Sequence, residues 1–537
     1  MAALAPTVSS VTATVHSATL TGTTGRPVVV EVHETAGLPG FTIVGLPDTA
    51  VRESRDRVRA ALLSSDFPWP QRRVTVNLAP SGVPKAGAGL DLPIALGVLA
   101  AIGQLPVPTL EKTAFVGELG LDGSLRHVPG TIALAEAVRA GRIVVPACDA
   151  VEAAAVCPGR TFGVPDLRAI VQVLRGVEPW PPAVHGARLR GSGHGWVTNG
   201  TGGADAREWR SRAVARYGDL AEVKGQRVAR RAVEVAAAGG HHLLLVGPPG
   251  SGKTMLARRL VGLLPPLSRA EALEVTRVHS AAGMPAPETG IVWDPPLRAP
   301  HHGASVVSLV GGGTATMRPG EISLATHGVL FLDEMGEFPV PVLDALRQPL
   351  EEGIVRVSRA RGSVEFPARV LLVAAMNPCP CGDGGTPGSC RCSPAARARY
   401  LRRLSGPLLD RFDLVVPLRR TSPEEILSPS PGERSSAVAA RVDAARRAAR
   451  SREVRCNAEL AASVLPARVP LSPGAAAMVE RAVREGRLSG RGVDRVRRVA
   501  RTIADLSAGA GGAVVEEGHV AEALALRAGR EVLDVPG

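Results

Sequence analysis

The fourteen residues from His241 to Thr254, HHLLLVGPPGSGKT, constrain this chain more tightly than any other stretch. Leu243 to Val246 form an apolar run of strand length. Gly247-Pro248-Pro249-Gly250-Ser251-Gly252-Lys253-Thr254 follows without a gap, and Met255 to Leu260 has helical spacing. A strand, a glycine loop and a helix start in this order predict a phosphate cradle. Backbone N–H groups of the loop and of the helix N-terminus would face the β- and γ-phosphates. Lys253 would neutralise their oxygens, and the Thr254 hydroxyl would ligate Mg²⁺. The ligand expected is ATP or GTP.

At 537 residues the chain exceeds a single core, and its length suggests about three or four domains. A hydrophobic content of 45% suits folded cores rather than disorder. The net charge of +13 is carried almost wholly by arginine, since lysine occurs only at Lys85, Lys112, Lys224 and Lys253. Such a balance is compatible with a polyanionic partner. Aromatic residues, at 3%, are too sparse for base-stacking platforms. The opening MAALAPTVSS lacks the basic-then-apolar order of a signal peptide. No apolar run approaches the ~18 residues that a membrane helix needs. Seven cysteines, four of them between Cys379 and Cys392, do not resemble an extracellular disulfide framework. A cytoplasmic protein without a membrane partner is expected.

From Val11 to about Gly176, short strands alternate with helices, which predicts an α+β unit. Strands are expected at Pro27–His33, Arg73–Leu78 and Ile143–Pro146, helices at Asp48–Ser64, Leu92–Ile102 and Thr131–Ala140, and a hairpin from Thr113. The segments NLAPSGVPKAGAGLDLPIAL and FVGELGLDGSLRHVPG resemble the Lon-protease-like (ribosomal S5 domain 2-like) domain. Its serine position falls at about Gly89 and its lysine position near Thr131-Ile132, so peptidase activity is not expected. Ser81 and Lys85 are the substitute pair on offer, and turn residues beside a strand explain them equally well. Residues 177–218, with PWPP and GSGHGWVTNGTGGADA, read as a flexible linker.

Gly328 to Leu332 predicts a buried strand with Asp333 and Glu334 at its carboxyl end, where α/β ligands bind. Asp333 would hold Mg²⁺ and Glu334 would polarise the attacking water as general base. Arg369 to Met376 predicts another strand, ending in Asn377. Val223-Lys224-Gly225-Gln226 resembles the adenine-proximal segment of AAA+ ATPases, which favours ATP, and Asn377 takes the place of their water-orienting sensor. Leu404 to Leu414 resembles the Arg-Phe-Asp segment of minichromosome-maintenance helicases. This implies that Arg411 is an arginine finger reaching the γ-phosphate of a neighbouring subunit, with Arg403 a second candidate. Arg491, at the start of a helix, looks like the second sensor of the family; Arg495 and Arg498 follow at helical spacing.

Two stretches exceed a minimal ATPase. Between the glycine loop and the acid pair lie Arg298 to Ser305, Leu309 to Gly313, read as a mobile loop, and Arg318 to Ala325. The adjacent His301 and His302 lack metal-ligand spacing and are assigned a structural or subunit-contact role. Glu352 to Ala368 alternates, turns at Arg359 to Gly362 and alternates again, predicting a β-hairpin. Arg356, Arg359 and Arg361 lie at or near its tip, either as phosphate contacts to DNA or as a solvated end. Cys379, Cys381, Cys390 and Cys392 form two Cys-x-Cys pairs. They either close a structural Zn²⁺ site or remain reduced thiols.

The whole ordered set, including PGEISLATHGVLFLDE and VAAMNPCPCG, resembles the YifB/ComM family of magnesium-chelatase-like AAA+ ATPases. The resemblance implies a fold of class α/β, with a Lon-like N-terminal domain (1–176), a linker (177–218), an AAA+ core (219–425) and a helical C-terminal lid (426–537). It also implies a hexameric DNA helicase promoting branch migration during natural transformation. The rivals are a chelatase-type subunit driving metal insertion and a protein-remodelling regulator.

Overall fold

The computed structural model describes residues 12–185, 203–313, 317–359, 362–383, 390–427, 432–508 and 514–529. Alternating residues in Thr12–Thr21 and Thr24–Thr35 pair these two strands antiparallel across the turn at Gly22 and Thr23. Val28, Val30 and Val32 face inward, as a period of two requires. These strands occupy the middle of a seven-stranded sheet. Arg73–Ala79 and Gly40–Val44 lie on one side, and Thr113–Phe115, Arg142–Pro146 and Thr161–Val164 on the other. Helix Asp91–Ala101 is wholly buried and, after Asp91, which pairs with Arg57 at 2.7 Å, apolar all round. Helix Thr49–Ser64 starts at Asp48, whose Oδ1 accepts the Val51 N–H at 2.8 Å.

The hairpin expected from Thr113 forms only from Glu118 onward. Thr113–Phe115 joins the large sheet in parallel with Arg142–Pro146, and a separate two-residue ladder pairs Glu118–Leu119 with Leu125–Arg126.

The second unit is a five-stranded, all-parallel sheet ordered Leu297–Arg298, Val329–Leu332, Leu371–Met376, Leu243–Val246, Leu414–Pro417. Its three central strands are buried throughout, as expected where helices cover both faces. Helices Ser435–Arg450, Pro473–Arg484, Gly490–Ala508 and Glu517–Ala525 follow the sheet. They share one apolar core with helix Arg227–Gly239, and the Glu234 carboxylate joins the two layers through Arg441 at 2.6 Å.

The linker expected at 177–218 is corrected at both ends. Trp180 packs edge-on against Phe162 at 5.0 Å, and Val184 bridges to Thr161. Residues Gly203–Tyr217 form a helix whose Trp209 is 3% exposed and donates Nε1–H to the Leu264 carbonyl at 2.9 Å. The amphipathic spacing of Trp209 and Ala213 outweighs the Gly-rich composition before it. The remainder of the expected linker, 186–202, lies outside the described residues.

Helix Arg269–Ala281 joins the two units. Ser268 and Glu271 make a reciprocal capping box at its start. Its Arg277 meets Glu136 in a bidentate pair, both contacts at 2.9 Å. The Ser280 carbonyl accepts the Gly130 N–H at 3.0 Å, while the Ser280 hydroxyl donates to Glu152.

Candidate nucleotide site

The order of strands explains the site. The glycine-loop strand and the acid strand are not neighbours; Leu371–Met376 lies between them. Register pairs Val246 with Met376, and Leu332 with Ala374. The phosphate loop, Asn377 and the acid pair therefore leave the sheet at one edge, where ligands of open α/β sheets bind. Gly252 is left-handed at φ +88°, which starts helix Lys253–Val261 abruptly after the loop.

Lys253 donates to the carbonyls of Gly247 at 2.6 Å and Pro248 at 2.9 Å, and to Oδ1 of Asn377 at 3.2 Å. Burial pushes its ammonium below the usual lysine range, while Asp333 and Glu334 pull the other way. Phosphate oxygens arriving here would favour the charged form. The Thr254 hydroxyl donates to Oδ2 of Asp333 at 2.8 Å. Two oxygens on adjacent corners of an Mg²⁺ octahedron lie about 2.9 Å apart, so this pair fits the ion as ligands. Bound there, Mg²⁺ would neutralise phosphate charge.

Glu334 is held at φ +50°, a strained value for a residue with a side chain. Its N–H is bonded to Oδ1 of Asp333 at 3.0 Å. Its Oε2 lies 3.4 Å from Nδ1 of His302, whose ring stacks on His301 at 4.0 Å and meets Phe338 edge-on at 6.5 Å. His302, expected in a structural or subunit-contact role, stands at the acid pair; a separation of more than thirty residues leaves no local signal for this.

Further residues complete the surroundings. Gln226, at φ +48°, donates to the carbonyls of Ser251 at 3.2 Å and Arg419 at 2.6 Å, tying the segment before helix Arg227–Gly239 to the loop. His242 accepts the Leu372 N–H on Nδ1 at 3.1 Å; burial pushes it down to about 4, so the ring acts as a neutral acceptor joining two strands. Tyr400 receives the Asn377 backbone N–H, and burial pushes its hydroxyl up to about 12. Arg403 donates to the Gly336 carbonyl at 3.0 Å and to Glu337 at 3.2 Å, beside the acid pair of its own chain.

The remaining arginines stand apart from this cluster. Arg411 is 15% exposed and ion-paired with Glu351. Arg491 is exposed in the first turn of helix Gly490–Ala508. Arg495 is buried with its Nε 3.5 Å from Asp413, and Arg498 donates to the Leu460 carbonyl at 2.7 Å. Both are therefore engaged in lid packing. The hairpin forms as expected, pairing Ile354–Arg359 with Gly362–Pro367. Val355, Val357, Val364 and Phe366 bury one face. Arg356 stands opposite Glu365 at 2.9 Å and also pairs with Glu352, so its charge is met locally rather than presented at the tip. The Arg359 side chain and the whole of Arg361 lie outside the described residues. The expected mobile glycine loop is packed: Gly311–Gly312 ladders with Arg318–Pro319, and Leu309 is fully buried.

The four clustered cysteines do come together, with all their Sγ atoms within 4.8 Å of one another. Backbone N–H groups of Asp383 and Arg391 draw the Cys381 thiol down to about 6, while burial pushes Cys379 up to about 12. Among the described residues, no helix is long and apolar enough to cross a membrane.

A parallel sheet with a phosphate loop and flanking acids is the arrangement of an α/β ATPase module. Comparison with known proteins agrees. Residues 219–426 match the family model "Magnesium chelatase, subunit ChlI", 30–149 match "Subunit ChlI of Mg-chelatase" and 432–527 match "Magnesium chelatase, subunit ChlI C-terminal". The protein YifB of Escherichia coli is 42% identical over 522 residues, covering 96% of both chains. The competence protein ComM of Haemophilus influenzae is 43% identical over 524 residues, covering 96% of this chain and 97% of its own. The magnesium-chelatase 38 kDa subunit of Cereibacter sphaeroides is 28% identical over 200 residues, covering 34% of this chain and 52% of its own. The chain belongs to the YifB/ComM family of magnesium-chelatase-like AAA+ proteins.

Proposed function

We propose that this protein is an Mg²⁺-dependent ATPase whose turnover drives a ring, a hexamer by resemblance, along or through DNA. The observation that carries the ATPase reading is the convergence of Lys253, Asn377, Thr254, Asp333 and Glu334 at one sheet edge. The cradle Gly247, Pro248, Pro249, Gly250, Ser251 and Gly252 holds the phosphates, and Lys253 neutralises them. Thr254 and Asp333 ligate Mg²⁺, Asn377 orients the water and Glu334 takes its proton. Arg411 serves the neighbouring subunit's site in trans, exchanging Glu351 for phosphate oxygens, and Arg491 is the second sensor.

DNA as the substrate rests on similarity to a protein named for competence and on the arginine-rich charge of +13. In this reading the protein is a cytoplasmic helicase promoting branch migration, and Arg359 and Arg361 at the hairpin tip touch phosphates without reading bases. Arg356, met by two carboxylates, contributes less.

Residues 1–176 form a Lon-protease-like domain without peptidase activity. Ser81 is exposed, whereas Lys85 is buried with its ammonium on the Pro80 carbonyl of the same turn, so neither activates the other. The four-cysteine cluster is a structural Zn²⁺ site.

The alternative, a chelatase-type subunit, is the name the matching family models carry, but the chelatase 38 kDa subunit itself is similar over 34% of this chain, against 96% for YifB and ComM. The test is ATP turnover with and without forked DNA. A rise on adding DNA supports the motor reading, and unchanged turnover with no binding removes DNA as the substrate.

A further inference from the structure

We propose that the zinc-loaded cysteine loop braces the phosphate loop, so that metal occupancy sets how tightly the nucleotide is held. This rests on the nucleotide site and on the cluster being a metal site.

The geometry suits one ion. Four thiolates around Zn²⁺ at about 2.3 Å make a tetrahedron with edges of about 3.8 Å. Here Sγ of Cys379 lies 3.3 Å from that of Cys381 and 3.7 Å from that of Cys390, and Cys381 to Cys390 is 3.7 Å. Every pair among the four is within 4.8 Å. A disulfide would join two sulfurs at about 2.05 Å and leave the others aside, whereas here all four converge on one point. The loop has no apolar core of its own: among its described residues from 379 to 392, only Cys379 and Gly382 are buried. A shared cation supplies the cross-link that packing does not.

One stretch of chain and two contacts connect the cluster to the nucleotide pocket. Cys379 follows two residues after Asn377, the acceptor for Lys253 at 3.2 Å. Gly382 closes the turn by donating to the Cys379 carbonyl at 3.0 Å. It sits at φ +86° with its backbone against Pro249, and an added Cβ would lie 2.7 Å from the proline Cδ. Asp383 pairs with Arg420 at 2.7 Å, next to Arg419, whose carbonyl accepts from Gln226. The metal loop therefore presses on the phosphate loop at Pro249 and is continuous with the strand that supplies Asn377.

The experiment measures zinc per chain by plasma mass spectrometry and the ATP dissociation constant of the full-length protein in three states. These are as purified, stripped with a chelator that is then removed before Mg²⁺ is restored, and re-zincated. The account expects one zinc per chain, ATP held about tenfold more weakly after stripping, and recovery on adding Zn²⁺. Gly382→Ala, which keeps all four thiols, is expected to retain zinc and still bind ATP more weakly. That variant carries the test if the stripped protein loses its folded circular dichroism. Absence of stoichiometric zinc overturns the metal site. Zinc at one per chain with unchanged ATP affinity in both the stripped protein and Gly382→Ala overturns the brace alone. Failure of the as-purified protein to bind ATP at all overturns the nucleotide site beneath both.

Discussion

His302 places Nδ1 3.4 Å from Oε2 of Glu334, although the two are far apart in sequence. Phe338 and His301 pack on the same imidazole, so the ring is fixed where it can hold the carboxylate. His302 is thus a positioning residue for the proposed general base. His302→Ala is expected to lower kcat about tenfold, part of the larger factor a general base contributes, while KM for ATP stays nearly constant. Gln at this position, which keeps a donor, should recover part of the loss. Steady-state kinetics of both variants decide it: a raised KM with unchanged kcat would assign His302 to binding instead.

Arg411 is held by Glu351 of its own chain, with its Nε buried and unbonded among the described residues. A finger acting in trans predicts complementation. Arg411→Ala retains an intact phosphate loop, and Lys253→Ala retains an intact finger. Each alone should be inactive, and mixing them should restore measurable ATP turnover at mixed interfaces. Full activity of Arg411→Ala, or no recovery on mixing, rules out the shared site.

Trp209 anchors the helix that replaces the second half of the expected linker. Trp209→Ala should cost about 3 kcal/mol by opening a cavity in the apolar core beside Leu264, besides losing the indole hydrogen bond. Urea unfolding followed by far-ultraviolet circular dichroism measures this. Wild-type stability would return the segment to a linker.

Asp413 joins the end of the nucleotide sheet to the lid through Arg495 at 3.5 Å and to His241 at 3.5 Å. Burial alone would raise its carboxyl, but the contact with His241 and the positive charge of Arg495 outweigh it and hold it below the usual carboxylate range. A depressed folded value means that the stabilisation is complete above the unfolded value of about 3.9 and is lost as pH falls below it. Asp413→Asn should therefore lower the melting temperature at neutral pH and flatten its decline below about pH 4. A parallel downward shift at every pH would contradict this.

The elements carrying the phosphate site were readable because their signal is local. Leu243 to Thr254 and Gly328 to Glu334 each combine a strand-length apolar run with its polar terminus. Helix Thr49–Ser64 was equally plain, since Asp48 caps an amphipathic run. Other features depended on distant partners. Glycine and proline around residues 177–202 hid the packing of Trp180 and Trp209, which acquire meaning only beside Phe162 and Leu264. The sequence places Arg356 either on phosphate or at a solvated hairpin end; the hairpin register puts Glu365 opposite it. The His302 contact had no sequence signal, whereas helix Arg269–Ala281 had a local one, the Ser268 to Glu271 capping box, which the sequence analysis does not use.

The central claim is that phosphate chemistry around Lys253 and Glu334 is spent on DNA. Its most direct test is ATP-dependent strand displacement from a forked duplex by the wild type and by Glu334→Gln. The account predicts displacement by the wild type only, with the variant still binding ATP but hydrolysing it at least about a hundredfold more slowly. Wild-type turnover indifferent to DNA with no strand released, or displacement undiminished in Glu334→Gln, would contradict it.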